Sequence, residues 1–580
     1  MREGGLAVLA GSPPCYFRHA TLWGMRTPYA ERIILIGPPG SGKTTVGLRV
    51  ARLLGWMWMN TDGVIANAEG RDIAAIFAED GEQRFRDLES ATLRYALNHR
   101  QVVISTGGGV GERAGNLELM RESGWVVSLS VRPESALERM RRQLEESSDD
   151  PGAVRPLLAG DDPLRRIHEL SERRMAWYAQ ADEVIATDDL DVETVGRRII
   201  GGLAGRGLLD PEGAETFTRP VSTGSAQSYD AVVQWCGLVS LPQRLANLGL
   251  PPRLHIVADA NVALLYEPSL MSNLLGAGFD PLVYRVPSGE GSKSQEQLSA
   301  IYDWLAERRA ERREAVLALG GGVVGDLAGF AAATYLRGVP LVHISTSLLA
   351  QVDASIGGKV AINHPRGKNL IGAFYQPRLV LSDPSALLTM PPRERTEGWA
   401  EVVKHGVALD AVYFEQLERD AHDLPQVSPA VTTKIIAGSV ALKASVVEGD
   451  EREQEGGRRH LLNYGHTIGH AIEAVAGYGA WLHGEAVAVG MMVAARIGER
   501  MGVTPGDLVE RQGRLLRRFG LPVEAHGLVA DELMRAALWD KKVSGGRVRW
   551  VLPNALGHAS LHDDVPDDVV RAALLESGAE

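Results

Sequence analysis

The sequence predicts an α/β protein in two successive parts, and three observations carry that prediction. Between residue 31 and about residue 205, short apolar runs (IILIG, VVIST, WVVSLSV, EVIAT) alternate with polar stretches of helical character. That is the rhythm of a parallel sheet covered by helices. The stretch from Gly205 to Gln227 is rich in Gly, Pro, Ser and Thr, lacks helical periodicity and reads as a linker. Beyond it, LHIVAD and AVLALG give new strand signals, and from about Asp383 the pattern turns mostly helical. The expected boundaries are an extension at 1–30, a first unit at 31–204, a linker at 205–228 and a second unit at 229–580. The second unit divides into halves 229–382 and 383–580.

Bulk properties narrow the class. A chain of 580 residues has ample apolar sequence for a core in each unit. With 61 basic against 73 acidic residues, a net charge of −12 argues against a broad nucleic-acid surface. Anionic ligands must then meet local basic clusters. Two distant cysteines, Cys15 and Cys236, exclude a cysteine-rich zinc site and argue against a disulfide framework. No apolar run reads as long enough to span a bilayer. The stretch up to Arg32 has only a short apolar patch broken by Gly and Pro, without the core of a secretory signal. It reads as a disordered extension, with Met25 as an alternative start. The expectation is a cytoplasmic enzyme with small-molecule partners, without nucleic acid or membrane.

In the first unit, GPPGSGKTT (Gly37 to Thr45) follows the apolar run Ile33–Ile36 and opens a helical stretch, Val46–Leu54. Between strand and helix, Gly37, Gly40, Ser41 and Gly42 let backbone N–H groups converge on an anion. Lys43 adds a positive charge, and the Thr44 hydroxyl can hold Mg²⁺, with Thr45 beside it. This is a nucleoside triphosphate site. Asp62 follows the expected second strand, and Arg86 and Glu89 lie three apart on one helix face. Gly107, Gly108 and Gly109 form a loop where backbone can touch a small ligand. Arg155 and Arg174 supply further cations. A carboxylate to orient an acceptor hydroxyl, with arginines to grip an anionic acceptor, is what phosphoryl transfer needs.

By these motifs residues 31–200 resemble shikimate kinase, a P-loop kinase with a parallel sheet. The resemblance implies that ATP with Mg²⁺ is the donor and that Asp62 contacts the acceptor hydroxyls and acts as base. Arg86, Arg174 and the Gly107–Gly109 loop would bind the acceptor. Lys43 and Arg155 would act on the ATP phosphates, Arg155 from a lid within Arg142–Asp162. One departure is Asn60, where that family has an aspartate that orders Mg²⁺ through water. A neutral amide there implies a higher Mg²⁺ requirement, which Asn60→Asp should lower.

In the second unit GGGVVGD (Gly320 to Asp326) follows the strand AVLAL and fits G-x-G-x-x-G, a weak signal alone. The acidic residue of an ordinary dinucleotide fold is missing about twenty positions later. Asp259 and Asn261, at the end of LHIVAD, could read a ribose instead. NYGHTIGH puts His466 and His470 at i and i+4, LHGEAV adds His483, and AEVVK adds Glu401. Nitrogen and oxygen donors without thiolate suit a catalytic zinc with an open position. Spacing alone makes His466 and His470 the ligand pair. Lys359, Lys368, Arg337, Lys404, Lys443, Arg459 and the pair Lys541–Lys542 supply the cations a phosphorylated, carboxylated substrate requires.

The run LGGGVVGDLAGFAAATYLRGVPLVHISTSLLAQVDASIGGKVAINHPRGKNLIGAFYQP, with these motifs, makes Tyr229 to Ala579 resemble 3-dehydroquinate synthase. The fold implied is a two-part domain, an α/β NAD-binding half and a helical metal-binding half. The resemblance implies that Asp259, Asn261, Glu290, Lys293, Gly321, Gly322, Asp326, Thr346, Ser347, Lys368 and Thr389 hold NAD. It gives a zinc (or cobalt) ion to Glu401, His466 and His483, leaving His470 for substrate and proton transfer. It gives substrate to Arg337, Asp353, Lys359, Asn369, Lys404, Lys443, Arg459, Asn463 and one of Lys541 and Lys542. Asp353, Lys359, Lys404 and His470 would be catalytic. Ser345 stands where the family has proline, and Glu453–Gly457 is slightly lengthened. The implied reaction converts 3-deoxy-arabino-heptulosonate 7-phosphate to 3-dehydroquinate with phosphate release and NAD⁺ regenerated, and the family suggests a homodimer through this unit. Two other readings remain: a metal-dependent polyol dehydrogenase in the second unit, and a non-catalytic nucleotide-binding module in the first.

Overall fold

In the computed structural model the described residues are 29–146, 162–224, 228–454, 457–477, 479–539 and 548–580. The extension up to residue 28, Arg155 with most of its expected lid, and Lys541 and Lys542 lie outside them. The chain forms two compact units, Met1–Asp210 and Pro211–Glu580.

The first unit is built on strands β1 (Arg32–Ile36), β2 (Met57–Asn60), β3 (Val102–Ser105), β4 (Trp125–Ser130) and β5 (Glu183–Ala186). They form one sheet in the order β2-β3-β1-β4-β5, every pairing parallel. Ile33 to Ile36 and Val102 to Ile104 are fully buried, as strands covered by helices on both faces must be. The order reverses beside β1, so the loop after β1 opens at the carboxyl edge where such sheets bind ligands.

The second unit holds a seven-stranded sheet. Its strands are β6 (Phe217–Ser222), β7 (Ser228–Val233), β8 (Arg253–Asp259), β9 (Asp280–Val286), β10 (Ala315–Gly320), β11 (Leu341–Ser345) and β14 (Leu379–Ser382). The order is β6-β7-β14-β11-β10-β8-β9, parallel except for the antiparallel pair β6·β7. A separate hairpin, β12 (Lys359–His364) with β13 (Gly367–Phe374), follows β11. From Pro392 onward helices dominate.

Three expectations are corrected. The presumed linker contains β6, an edge strand whose one buried residue, Val221, faces the sheet while its other residues are exposed or half-exposed. The helical half ends in a second hairpin, β15 (Trp550–Ala555) with β16 (His558–His562). The helix Pro429–Gly449 is, by length and composition, apolar enough to cross a membrane. Its residues Ile435, Ile436, Val440 and Val447 are instead buried in this unit, and its Lys443 faces an aspartate.

Candidate active sites

In the first unit the loop after β1 turns on left-handed glycines, Gly40 (φ 78°) and Gly42 (φ 91°). At Gly37 a Cβ would sit 2.3 Å from the Leu129 carbonyl, so only glycine fits. The helix Lys43–Leu54 starts here with no side-chain cap, which leaves its first N–H groups directed into the loop. Lys43 Nζ donates to the carbonyls of Gly37 (2.8 Å) and Pro38 (3.0 Å), placing the ammonium inside the turn. Thr44 and Thr45 are exposed on the first helical turn, and Ser41 is buried with its hydroxyl oxygen unbonded.

The acceptor residues converge on the Gly107–Gly109 loop after β3. A Cβ on Gly107 would lie 2.6 Å from Asp62 Oδ1 and 2.5 Å from Glu89 Oε1. One on Gly109 would lie 2.3 Å from Arg86 Nη1, and one on Gly108 3.4 Å from Arg174 Nη1. The three glycines thus let Asp62, Arg86 and Arg174 close around the backbone. Gly107 N donates to Thr61 Oγ1 (3.0 Å), and Tyr178 OH donates to the Gly108 carbonyl (2.9 Å). Asp62 Oδ1 is buried and accepts no hydrogen bond. Burial raises the Asp62 carboxyl above its ordinary range, against the pull of Lys43 and Arg86. An unsatisfied buried carboxylate between two cations suits a base that awaits a hydroxyl.

Glu112 was not singled out by its sequence position. It accepts from Arg86 Nη2 (3.0 Å), Arg173 Nη2 (2.7 Å) and Arg174 Nε (2.9 Å), which ties the two acceptor arginines together. Its place three residues after the glycine loop was the available signal.

In the second unit Glu401 is fully buried on the helix Trp399–Leu409, and neither carboxylate oxygen accepts a hydrogen bond. The Lys404 ammonium, one turn on, lies against Oε2 as an ion pair. His466 Nε2 and His483 Nε2 approach Oε1 at 3.6 and 3.7 Å. Zinc ligands about 2.1 Å from a tetrahedral ion stand roughly 3.4 Å apart, so these donors fit one divalent cation. A buried carboxylate whose Oε1 faces two imidazole nitrogens is the donor set such an ion needs. His466 Nδ1 meets the Tyr464 carbonyl at 3.3 Å and His483 Nδ1 meets Glu473 Oε2 at 3.2 Å, which orients both rings. Among the described residues His466 groups with Glu401 and His483 rather than with His470, the i, i+4 partner that spacing suggests. His470 is exposed, and its ring lies 5.4 Å from that of His466 and 6.1 Å from that of His483.

The basic residues gather beside this centre. Lys443 Nζ donates to Asp353 Oδ1 (2.7 Å) and to its carbonyl (2.6 Å). Burial works against the Asp353 carboxylate, but Lys443, Lys404 and His405 hold its pKa well below the usual range. Burial pushes the Lys443 ammonium down to about 8 against the pull of Asp353. Arg459 is buried and donates to the Gly357 carbonyl (3.0 Å). Glu453, at the start of the lengthened stretch, pairs with Lys359 and accepts from Asn463 (2.8 Å). Arg337 sits in a left-handed turn (φ 64°) and forms no ion pair among the described residues.

Of the expected dinucleotide residues, Asp259, Gly321, Gly322, Thr346 and Ser347 stand at the carboxyl ends of β8, β10 and β11. Glu290 and Lys293 follow β9, Thr389 follows β14, and Lys368 lies on β13. Gly321 caps the helix Gly322–Thr334 with no side chain. A small cavity there is lined by Gly320, Gly321, Gly322, Ser345, Ala354 and Ser355 among others. A Cβ on Gly321 would sit 3.1 Å from Ser347 Oγ, and Thr346 N donates to the Gly320 carbonyl (3.0 Å). A bare helix start beside glycines suits a pyrophosphate. Asp259 Oδ1 accepts from Asn261 N (2.9 Å) and Ser288 Oγ (2.7 Å). Lys293 pairs with Asp326. Asn363 bridges Glu290 (2.7 Å) and the backbone of Asn369 (3.0 Å). Thr389 shares a hydrogen bond with Tyr266 OH (2.8 Å), and Lys368 pairs with Glu473 (2.9 Å).

The comparisons with known proteins agree with this layout. Family models match at residues 39–203 (shikimate kinase), 283–397 (3-dehydroquinate synthase N-terminal) and 398–543 (3-dehydroquinate synthase C-terminal). A 3-dehydroquinate synthase of Desulforamulus reducens is 45% identical over 349 residues, 60% of this chain and 97% of that protein. Among solved structures, the 2-epi-5-epi-valiolone synthase of Streptomyces hygroscopicus, with NAD⁺ and Zn²⁺ bound, is 31% identical at a TM-score of 0.57. It covers 60% of this chain and 96% of its own. A 2-deoxy-scyllo-inosose synthase complexed with carbaglucose-6-phosphate, NAD⁺ and Co²⁺ is 27% identical at a TM-score of 0.55, covering 62% and 100%. With the zinc-type donor set, the glycine-capped helix and the phosphate loop each in place, the chain belongs to the 3-dehydroquinate synthase family and carries a shikimate kinase domain ahead of it.

Proposed function

We propose that this is a bifunctional cytoplasmic enzyme of aromatic precursor synthesis. The first unit phosphorylates the 3-hydroxyl of shikimate with MgATP. The second converts 3-deoxy-arabino-heptulosonate 7-phosphate to 3-dehydroquinate with loss of phosphate. The observation that carries the second assignment is Glu401, buried against His466, His483 and Lys404 with no hydrogen bond to its oxygens. For the first it is the closure of Asp62, Arg86 and Arg174 on Gly107–Gly109.

Asp62 takes the proton of the attacking hydroxyl, while Arg86 and Arg174 hold the acceptor's carboxylate. In the second unit Glu401, His466 and His483 hold the divalent ion, and the Gly320–Gly322 turn holds the dinucleotide. We carry over NAD⁺ with Zn²⁺ or Co²⁺ from the structural neighbours. Together they supply polarisation of a secondary hydroxyl and a hydride acceptor that is restored within the turnover. Lys443, Lys359 and Arg459 offset the charge of the phosphate as it leaves, and His470 serves proton transfer. Pairing of two copies through this unit belongs to the same reading.

A paired assay on one preparation tests it. Phosphate release from the heptulosonate phosphate should require NAD⁺ and stop with chelator, while ADP formation should require shikimate. Nucleotide binding without shikimate-dependent turnover would reduce the first unit to a binding module.

Lys443 gives this reading a pH signature. It is cationic below about pH 8, so kcat/KM for the phosphorylated substrate should fall as pH rises through that value. Lys443→Arg should move the fall to higher pH. The same depressed value makes the lysine a cost to folding at neutral pH. That cost diminishes between about pH 8 and the ordinary 10.5, where the unfolded chain binds the extra proton.

A further inference from the structure

Glu473 is a buried acid that touches both the metal-binding and the dinucleotide residues. It lies on the helix His466–Ala476, one turn past His470 and two past His466, so the helix that presents a metal donor also presents this carboxylate. Its two oxygens face different partners. Oε2 meets His483 Nδ1 at 3.2 Å, and Oε1 accepts from Lys368 Nζ at 2.9 Å. His483 turns its other nitrogen, Nε2, to Glu401. With an ion on Nε2 the ring proton sits on Nδ1, which then donates to Glu473 Oε2. Lys368 comes from β13, on the hairpin that follows the NAD-binding sheet, whereas His483 opens a helix of the metal-binding half.

We propose that Glu473 is a positioning residue that couples the metal to the dinucleotide, by holding the His483 ring and the Lys368 ammonium with one carboxylate. The inference rests on the reading of His483 as a metal ligand and Lys368 as a dinucleotide contact. A seated ion fixes His483, which fixes Glu473 and through it Lys368, so each ligand prepares the site for the other. Such coupling is reciprocal and commonly about 5- to 150-fold in affinity.

The test measures binding, without turnover. Zn²⁺ affinity is read by chelator competition, and NAD⁺ affinity by calorimetry on metal-loaded and metal-stripped protein. In the unsubstituted chain the metal should tighten NAD⁺ binding at least about fivefold. Glu473→Gln should weaken Zn²⁺ binding about 10- to 100-fold and bring the metal's effect on NAD⁺ below about twofold. Lys368→Met should remove the coupling while leaving Zn²⁺ affinity within about twofold, a split that general loosening of the fold would not give. The proposal is overturned if the unsubstituted chain shows no coupling, or if Glu473→Gln keeps both the metal affinity and the coupling. His483→Ala separates the two levels. If it retains full metal affinity, the ligand reading itself fails. If it loses the metal while Glu473→Gln changes nothing, only the role of Glu473 fails.

Discussion

Replacing Glu401 with glutamine is expected to strip the divalent ion from the second unit and cut phosphate release from the heptulosonate phosphate by about 10³-fold or more. Shikimate-dependent ADP formation should be unchanged in the same protein. The effect is large because the carboxylate is fully buried and faces only the two imidazoles and the Lys404 ammonium. An amide keeps the shape but supplies a neutral, weaker donor. Both variants leave the buried Lys404 ammonium without its counter-charge, a loss of about 3–5 kcal/mol. Glu401→Ala should be worse for folding, since it also removes the polar oxygen that faces that ammonium and opens a cavity. Metal content by mass spectrometry, together with the two assays, decides the matter. A Glu401→Gln protein that keeps one tightly held ion would place the metal elsewhere.

Asp62→Asn is expected to act in the opposite compartment. Shikimate-dependent ADP formation should fall about 10²- to 10⁴-fold, with MgATP affinity little altered and phosphate release untouched. Asparagine matches aspartate in volume, which matters where a single Cβ on Gly107 would already lie 2.6 Å from Oδ1. The loss therefore reports the missing base rather than a clash. Steady-state ADP formation with shikimate varied is the measurement. A variant within about threefold of the parent would show that another group takes the proton, since loss of a positioned base costs far more.

The local motifs were legible because each is a short run whose chemistry depends on its own backbone. The phosphate loop needs Gly37, Gly40 and Gly42 beside Lys43, and one strand–turn–helix supplies them all. The metal centre was legible in composition but not in pairing. His466 and His470 look like ligands because i, i+4 side chains are neighbours on a helix. The third direction is set by where the helix Trp399–Leu409 delivers Glu401, a long-range packing fact that no spacing carries. By residues alone His483 and Glu401 were in the constellation but spacing favoured His466 with His470, and family resemblance was needed to prefer His483 over His470. Glu473 was within reach, since it continues the helical face of His466 and His470 by one further turn. Glu112 and Glu453 act by bridging side chains brought together by the fold, which no local motif marks. β6 escaped for a related reason. It is a polar edge strand with one buried residue and a proline, and only its pairing with β7 makes it a strand. The hairpin of β15 and β16 likewise interrupts a region that reads as helical.

The most direct test of the second unit's chemistry counts products against cofactor. Protein holding a limited amount of NAD⁺ is given the heptulosonate phosphate, and released phosphate is measured alongside absorbance from NADH. Phosphate should exceed NAD⁺ by many turnovers with no net accumulation of NADH. NADH rising in step with substrate consumed, and ceasing once NAD⁺ is spent, would contradict it and mark a dehydrogenase instead.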